Sequence, residues 1–310
     1  NYHVGMNILF VVNNKNDRLA KVLPSLRQCC EQTHWAKARL VFTLGKAHAM
    51  ALARQAAENR CDFVIAVGGD GTLNEVVNGV LQSDVPAHEL PTIGLLPYGS
   101  ANDFARTAQI SQSLEALMAL IRTHTAQRID LGKILLRPSR ETRFFINMAG
   151  VGLGAEVAKN IERSSSVLGP GFHYFKHIIK GFLGYSKKEV SCTGGSWQWK
   201  GRLLQMAVAN GRYFGNGLCI APEARVADGQ FQVAIFGNLS IWDYLKNLGK
   251  LKKGVKIDHP QVSYHNAQEV LLESDGACGI EADGEYVGLA PATLSVLPKA
   301  INFLMSPGVR

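Results

Sequence analysis

The sequence predicts an α/β N-terminal domain with a doubly wound parallel sheet, followed by a predominantly β C-terminal domain. Three observations predict this. The first 125 residues alternate apolar runs of strand length with segments of helical spacing. After about residue 126 the runs are strand-like, with short polar connections and no obligatory helix between them. A chain of 310 residues also exceeds what one small core needs, which favours two domains.

In order, Asn7 to Asn13 is a continuous apolar run ending in turn residues, as a strand covered on both faces requires. Residues 17–30 place Leu19, Val22, Leu23 and Leu26 at helical spacing. Arg39–Thr43 reads as the second strand, Ala47–Glu58 as an alanine-rich helix and Cys61–Val67 as the third strand. A helix from Thr72 to about Leu81, a strand at Thr92–Leu96, and helices over Ala101–Thr107 and Ser113–Arg122 complete the region. Further strands are expected at Ile129–Leu136, Phe144–Met148, Leu203–Ala209, Gln230–Phe236, Glu269–Leu272, Gly279–Glu281 and Ala292–Leu297, with one helical island over Phe172–Tyr185. No low-complexity linker separates the halves, so close packing with a cleft between them is expected.

Composition narrows the class. Apolar residues make up 46% and charged residues 19%, and no apolar run approaches the roughly 20 residues of a membrane-spanning helix. The opening residues lack a basic region followed by an apolar one, so a soluble, cytoplasmic protein is expected. Six cysteines are scattered without zinc or disulfide spacing, which suits a reducing compartment. The net charge of +8 asks for an anionic partner. Its densest stretch is Lys246, Lys250, Lys252, Lys253 and Lys256, interleaved with Ile241, Trp242, Tyr244, Leu245 and Leu248; a solvated helix face or contact with an anionic membrane both account for it. No helix-turn-helix, zinc-finger or RNA-binding signature is present, so nucleic acid is not expected.

The chemical signal is Gly68-Gly69-Asp70-Gly71-Thr72, where an apolar strand turns into a helix. Glycines let the backbone approach a phosphate closely, and the helix start adds its positive end. Asp70 is awkward against a phosphate unless a magnesium ion is shared between them. The segment is not a Walker loop, since no Gly-Lys-Ser or Gly-Lys-Thr follows. Gly150-Val151-Gly152-Leu153-Gly154-Ala155 formally fits a dinucleotide fingerprint. It lacks the later acidic residue and the βαβ setting, so a tight strand-to-helix turn is expected. His173 and His177, four apart on the expected island, have no third ligand nearby.

The run from Gly68 through Leu73-Asn74-Glu75-Val76-Val77-Asn78-Gly79 resembles the signature of the diacylglycerol kinase catalytic domain. It is similar to soluble bacterial lipid kinases and to sphingosine and ceramide kinases. Pro97 to Arg106, Asn147 to Gly152, Ala221 to Gly229 and Asp283-Gly284-Glu285 resemble the same family in the same order. The glycine turn alone is shared with NAD kinases; the later blocks separate the two.

The resemblance implies an NAD kinase/diacylglycerol kinase-like first domain over 1–125, joined by residues near 300–310, and a β-sandwich-like lipid domain over 126–299. It implies ATP held by Asn13, Thr43, Gly68, Gly69, Asp70, Gly71, Thr72, Leu73, Asn74, Glu75 and Ser100, with Asp70 and Asp103 near the phosphates and a catalytic magnesium. Glu285 would be the base that takes the acceptor's proton, with Asp283 positioning it or binding metal. A structural magnesium is implied at Asp228 with the carbonyls of Arg225 and Gln230. Ser100 and Tyr98 stand where the family more often has threonine and leucine. The loop Asn13-Asn14-Lys15-Asn16-Asp17 lacks the family's proline and glycine, which leaves its nucleotide contacts open. The activity implied is Mg- and ATP-dependent phosphorylation of a diacylglycerol, phosphatidylglycerol or related lipid at the inner membrane surface. NAD kinase, or a nucleotide-binding regulatory protein without catalysis, are the alternatives.

Overall fold

The computed structural model describes residues 5–14, 17–137, 139–163, 184–306 and 308. The chain divides into one unit of Asn1–Ile129 with Lys299–Arg310, and a second of Asp130–Pro298.

The first unit alternates β1 (Met6–Val12), α1 (Leu23–Gln32), β2 (Ala36–Phe42), α2 (His48–Glu58), β3 (Phe63–Gly68), α3 (Asp70–Leu81), β4 (Thr92–Pro97), α4 (Asp103–Thr107) and α5 (Leu114–Arg122). The strands pair in the order β2-β1-β3-β4, all parallel. Period-two alternation sorts their side chains. Ile8, Phe10, Val12, Phe63, Ile65 and Val67 join Leu26 of α1 and Leu117 and Ile121 of α5 in one core, while Val11, Val64 and Ala66 are buried on the other face. Residues 17–30 do not form one continuous helix. Asp17–Lys21 is a 3-10 turn, and α1 starts afresh at Leu23, because Pro24 has no N–H and is tolerated only in a first turn.

The second unit comprises β5 (Ala126–Leu136, which enters it at Asp130), β6 (Thr142–Phe145), β7 (Met148–Gly152), α6 (Leu153–Arg163), β8 (Lys188–Gly194), β9 (Trp197–Leu203), β10 (Gln205–Ala209), β11 (Tyr213–Phe214), β12 (Leu218–Cys219), β13 (Phe231–Phe236), α7 (Ile241–Lys253), β14 (Val262–Ala267), β15 (Glu269–Ser274), β16 (Gly279–Ala282), β17 (Glu285–Leu289) and β18 (Ala292–Leu304). One antiparallel sheet runs β14-β13-β10-β7-β16-β17; opposite it β18, β15, β8 and β9 pair in sequence. Met206 and Val208 of β10 face the core between the sheets, with Phe145, Phe231, Val270 and Leu294. Their neighbours Ala207 and Ala209 face the outer layer of α6 and α7. The end of β18 returns to the first unit, where Phe303 pairs with Ile93 of β4 and meets the Phe104 ring edge-on.

The hairpin β8-β9 and the strand β14 escape the sequence reading because their outward positions carry Glu189, Thr193, Lys200, Arg202 and Asn266, which breaks up any apolar run. Of the fingerprint-like glycines, Gly150 and Gly152 lie in β7, an antiparallel strand, and Gly154 lies in the first turn of α6, which begins directly after it. The expected island Phe172–Tyr185, with His173 and His177, falls almost wholly on 164–183, outside the described residues.

Candidate functional site

Parallel pairing lines up the carboxyl ends of β2, β1, β3 and β4, the edge where open α/β sheets bind ligands. Thr43, Asn13, Gly68–Gly69 and Tyr98–Gly99 therefore stand side by side. The Thr43 N–H donates to the Val12 carbonyl at 2.8 Å, the Asn13 N–H to Val67 at 3.0 Å, and the Tyr98 N–H to Gly68 at 2.8 Å. Asn13 Nδ2 reaches Thr72 Oγ1 at 3.1 Å, fixing the start of β1's loop against the first turn of α3.

The two turns touch backbone to backbone. A Cβ on Gly99 would stand 2.3 Å from the Gly69 Cα, and one on Gly69 would stand 2.9 Å from the Gly99 Cα. Gly71, the second residue of α3, has open space where its Cβ would go. The Asp70 carboxylate bridges the turns, its Oδ2 accepting from the Asp103 N–H and its Oδ1 from the Phe104 N–H, each at 3.0 Å. It satisfies the first amides of α4, which have no intrahelical acceptor. Asn102 takes the left-handed conformation before α4, with φ of 53°; its Oδ1 accepts from the Gly99 N–H at 2.9 Å. Arg18 donates to the Gly99 carbonyl at 3.0 Å. Asp103 is buried, 3.9 Å from Arg106.

Other members of the expected nucleotide set have different surroundings. Leu73 is core and Asn74 is buried beside Asn78. Glu75 turns to the start of α2, accepting from the Ala47 and Ala49 N–H groups at 3.0 Å each. Ser100 is exposed.

In the second unit, Asp283-Gly284 is the two-residue turn between β16 and β17, with φ of 49° and 89°, the left-handed pair that such hairpins need. The Asp283 carboxylate accepts from the backbone N–H groups of Ile146, Asn147 and Met148 at 2.9 to 3.0 Å. That anchors the turn and presents Glu285, the next residue, whose Oε2 is 2.8 Å from the Arg143 guanidinium of β6. Glu281 is fully buried behind the turn and accepts from the Gly284 N–H at 2.7 Å. Burial pushes its carboxyl up to about 8, with the Asp283 charge adding to the rise and the Gly284 and Gly150 amides opposing it.

The loop before β13 holds Arg225, Asp228 and Gln230, all exposed. Asp228 accepts from the Gln230 N–H at 3.1 Å. Beneath it lies Asp130, fully buried in β5, accepting from the Gly229 N–H at 2.6 Å. Desolvation within the loop and, less, the Asp130 charge raise the Asp228 carboxyl, although one side of the residue is open to solvent. Among the described residues no cluster of three or more acids, histidines or cysteines is placed to hold a metal. A hard cation here would rest on Asp228, near Asp130, with carbonyls and water.

Sequence reasoning missed Asn102, Asp130, Arg143 and Glu281. Asp130 left a trace, a lone acid inside the apolar run Ile129 to Leu136, since a buried charge demands partners. Arg143 left none.

The same unit contains an apolar cavity lined by Leu153, Val157, Leu204, Phe236, Tyr244 and Leu251, among others. Gln205 lines it too and sits about the Cβ position of Gly150, whose other neighbour is Glu281. The cavity wall and the Glu285 turn thus share contiguous side chains.

A model of the diacylglycerol kinase catalytic domain matches residues 7–134, and one of the YegS C-terminal NAD kinase beta sandwich-like domain matches residues 147–305. A protein of Enterobacter sp. (strain 638) named "Probable lipid kinase YegS-like" is 28% identical over 307 residues, 96% of both chains. The diacylglycerol kinase of Staphylococcus haemolyticus is 30% identical over 257 residues, 81% of this chain and 73% of its own. The crystal structure of a diacylglycerol kinase from Bacillus anthracis str. Sterne covers 98% of this chain and of its own at a TM-score of 0.69 and 18% identity, a likeness of fold.

Two outcomes test this geometry. Gly99→Ala should destabilise the first unit by about 2 kcal/mol or more through overpacking against backbone, whereas Gly71→Ala should be neutral or stabilising by up to about 1 kcal/mol; urea unfolding of both variants decides. For Glu281, the unfolded carboxyl titrates near 4.5 and the folded one near 8. Between these values the unfolded chain has released a proton that the folded chain keeps, so stability falls as pH rises through the window and levels off above it. Wild type should lose up to about 1.4 kcal/mol per pH unit there, and Glu281→Gln should flatten the slope; an equal slope in both proteins would remove the buried proton from the account.

Proposed function

The chain belongs to the diacylglycerol kinase family, and from that premise we propose that it is an ATP- and magnesium-dependent lipid kinase, transferring the γ-phosphate of ATP to a hydroxyl of a diacylglycerol, phosphatidylglycerol or related membrane lipid. The observation that carries the lipid half is the apolar cavity, whose lining reaches through Gln205 and Gly150 to the turn bearing Glu285. A nucleotide or sugar acceptor would want polar lining there.

The donor half rests on the first unit. The opening turn of α3 offers amide N–H groups and the positive helix end to phosphate oxygens, and Gly71 leaves room for them. Asp70 and Asp103 would hold magnesium beside those oxygens. Each Asp70 oxygen accepts one amide and keeps a second acceptor site. When bound, the ion would neutralise charge on the transferring phosphoryl group. Asn13, Thr43 and Ser100 complete the proposed nucleotide set.

The acceptor half rests on Glu285. As the lipid hydroxyl attacks, its proton must leave, and a carboxylate within hydrogen-bond reach accepts it. Arg143 holds the Glu285 carboxylate at 2.8 Å and so fixes its orientation, and Asp283 fixes the turn that presents it. Asp228, with the carbonyls of Arg225 and Gln230, would hold a second, structural magnesium. The raised Asp228 carboxyl beside Asp130 is the observation that suits a cation there. Among the described residues no helix is long and apolar enough to cross a membrane, and peripheral action at the inner membrane surface fits this reading.

Incubation with labelled ATP and a panel of membrane lipids, NAD included, should label a lipid. Labelled NADP instead would establish an NAD kinase, and no labelled product would favour a non-catalytic nucleotide binder. Glu285→Gln should cut transfer about a hundred-fold or more with ATP affinity unchanged; parallel loss of ATP binding would sink its assignment as base. Magnesium should raise the thermal midpoint of the wild type and lose most of that effect in Asp228→Asn. Equal shifts in both would remove the metal from this loop.

A further inference from the structure

Helix α7 has two faces. Tyr244 and Leu251 line the apolar cavity on its inner side. At about 100° per residue, Trp242, Lys246, Lys250 and Lys253 fall together on the outer side, and all are exposed, Trp242 at 68%. Ile241, Leu245 and Leu248 are half-buried along one flank. Between Ser240 and Lys256 five lysines stand against one acid, Asp243, whose carboxylate closes a capping box with Ser240. Lys256 pairs with Glu223 and lies over the Tyr264 ring. Among the described residues none of Lys246, Lys250, Lys252 and Lys253 enters an ion pair.

Helix electrostatics explain part of this pattern. Lysines in a last turn complement the helix dipole, which accounts for Lys250, Lys252 and Lys253. They do not account for Lys246, or for an indole left in water at the other end of the stripe. A tryptophan beside unpaired lysines is the composition of a helix lying in a lipid headgroup layer. The 13 residues span about 20 Å, long enough to rest on a bilayer and too short to cross one.

We propose that α7 is the surface by which this protein seats on an anionic bilayer, with Trp242 at headgroup depth and Lys246, Lys250 and Lys253 on the acidic headgroups. This deepens the lipid-kinase reading and rests on it for the choice of partner. The inner side of the same helix walls the apolar cavity, so a seated protein keeps that cavity one helix away from the lipid.

The full chain is sedimented with vesicles of phosphatidylcholine alone and with phosphatidylglycerol added, without ATP, so the outcome is independent of catalysis. Binding should require phosphatidylglycerol, weaken with salt, and fall about a hundred-fold when Lys246, Lys250 and Lys253 are all changed to Gln, at roughly 1 kcal/mol per lysine. Changing Arg27, Lys37 and Arg122 to Gln removes the same charge from exposed positions of the first unit and should leave most binding intact. Vesicles should shift the tryptophan emission to the blue in wild type and much less in Trp242→Phe. Circular dichroism checks that each variant is folded. Equal losses from both triple variants, no preference for the anionic vesicles, or tighter binding to a DNA duplex than to vesicles would each overturn the proposal. Docking without any labelled lipid would leave this surface standing and reject the kinase reading alone.

Discussion

Two tight turns in this chain leave backbone amides facing inward, and in each a carboxylate collects them. Asp70 takes the first two amides of α4, and Asp283 takes three in succession from Ile146 to Met148. A buried N–H without an acceptor costs about 1–3 kcal/mol, so neither turn would hold its shape with an apolar side chain in the acid's place. Asp130 repeats the device under the loop of Asp228, and Glu75 repeats it at the start of α2. The acids that give the chain its chemical character are therefore also the ones that fold its loops. This explains how loops built almost entirely of turns can be well defined: in each unit they are stitched by charge-assisted bonds to backbone, which are stronger than neutral ones.

That double duty also separates the acids by role. Asp283 is committed to three amides, whereas Glu285, two residues on at the start of β17, meets the Arg143 guanidinium. Glu281 is enclosed altogether, and its buried carboxyl keeps its proton at neutral pH. Three acids within five residues thus occupy three electrostatic settings, set by burial and by which neighbours donate to them.

Much of the architecture was legible in the sequence because parallel strands buried on both faces write continuous apolar runs, and these located β1, β3 and β4 closely. Strands with one wet face were harder. The polar positions of β8, β9 and β14 mask the alternation that would identify them. Helix starts were missed by two residues in opposite directions: α3 was read late, since Asp70 looks like a turn residue until its place in a first turn is seen, and α4 was read early, since nothing in Ala101-Asn102 shows that Asn102 takes the left-handed conformation before the helix. Within the candidate site, what the sequence carried was motif: the glycine turn, Asp103, Asp228, and the Asp283–Glu285 hairpin. What it could not carry was partnership across distant strands. Nothing near Arg143 announces Glu285, 142 positions away, and nothing near Gly99 announces Gly69.

The contact between those two glycines constrains more than shape. Each Cβ would strike the other's main chain rather than its side chain, so no substitution at the partner can make room for it. Change at these positions has no permissive second step. Whatever else the sequence explores, the two turns can drift only together with the backbones that carry them, and a specificity that depends on their spacing is inherited as one indivisible piece.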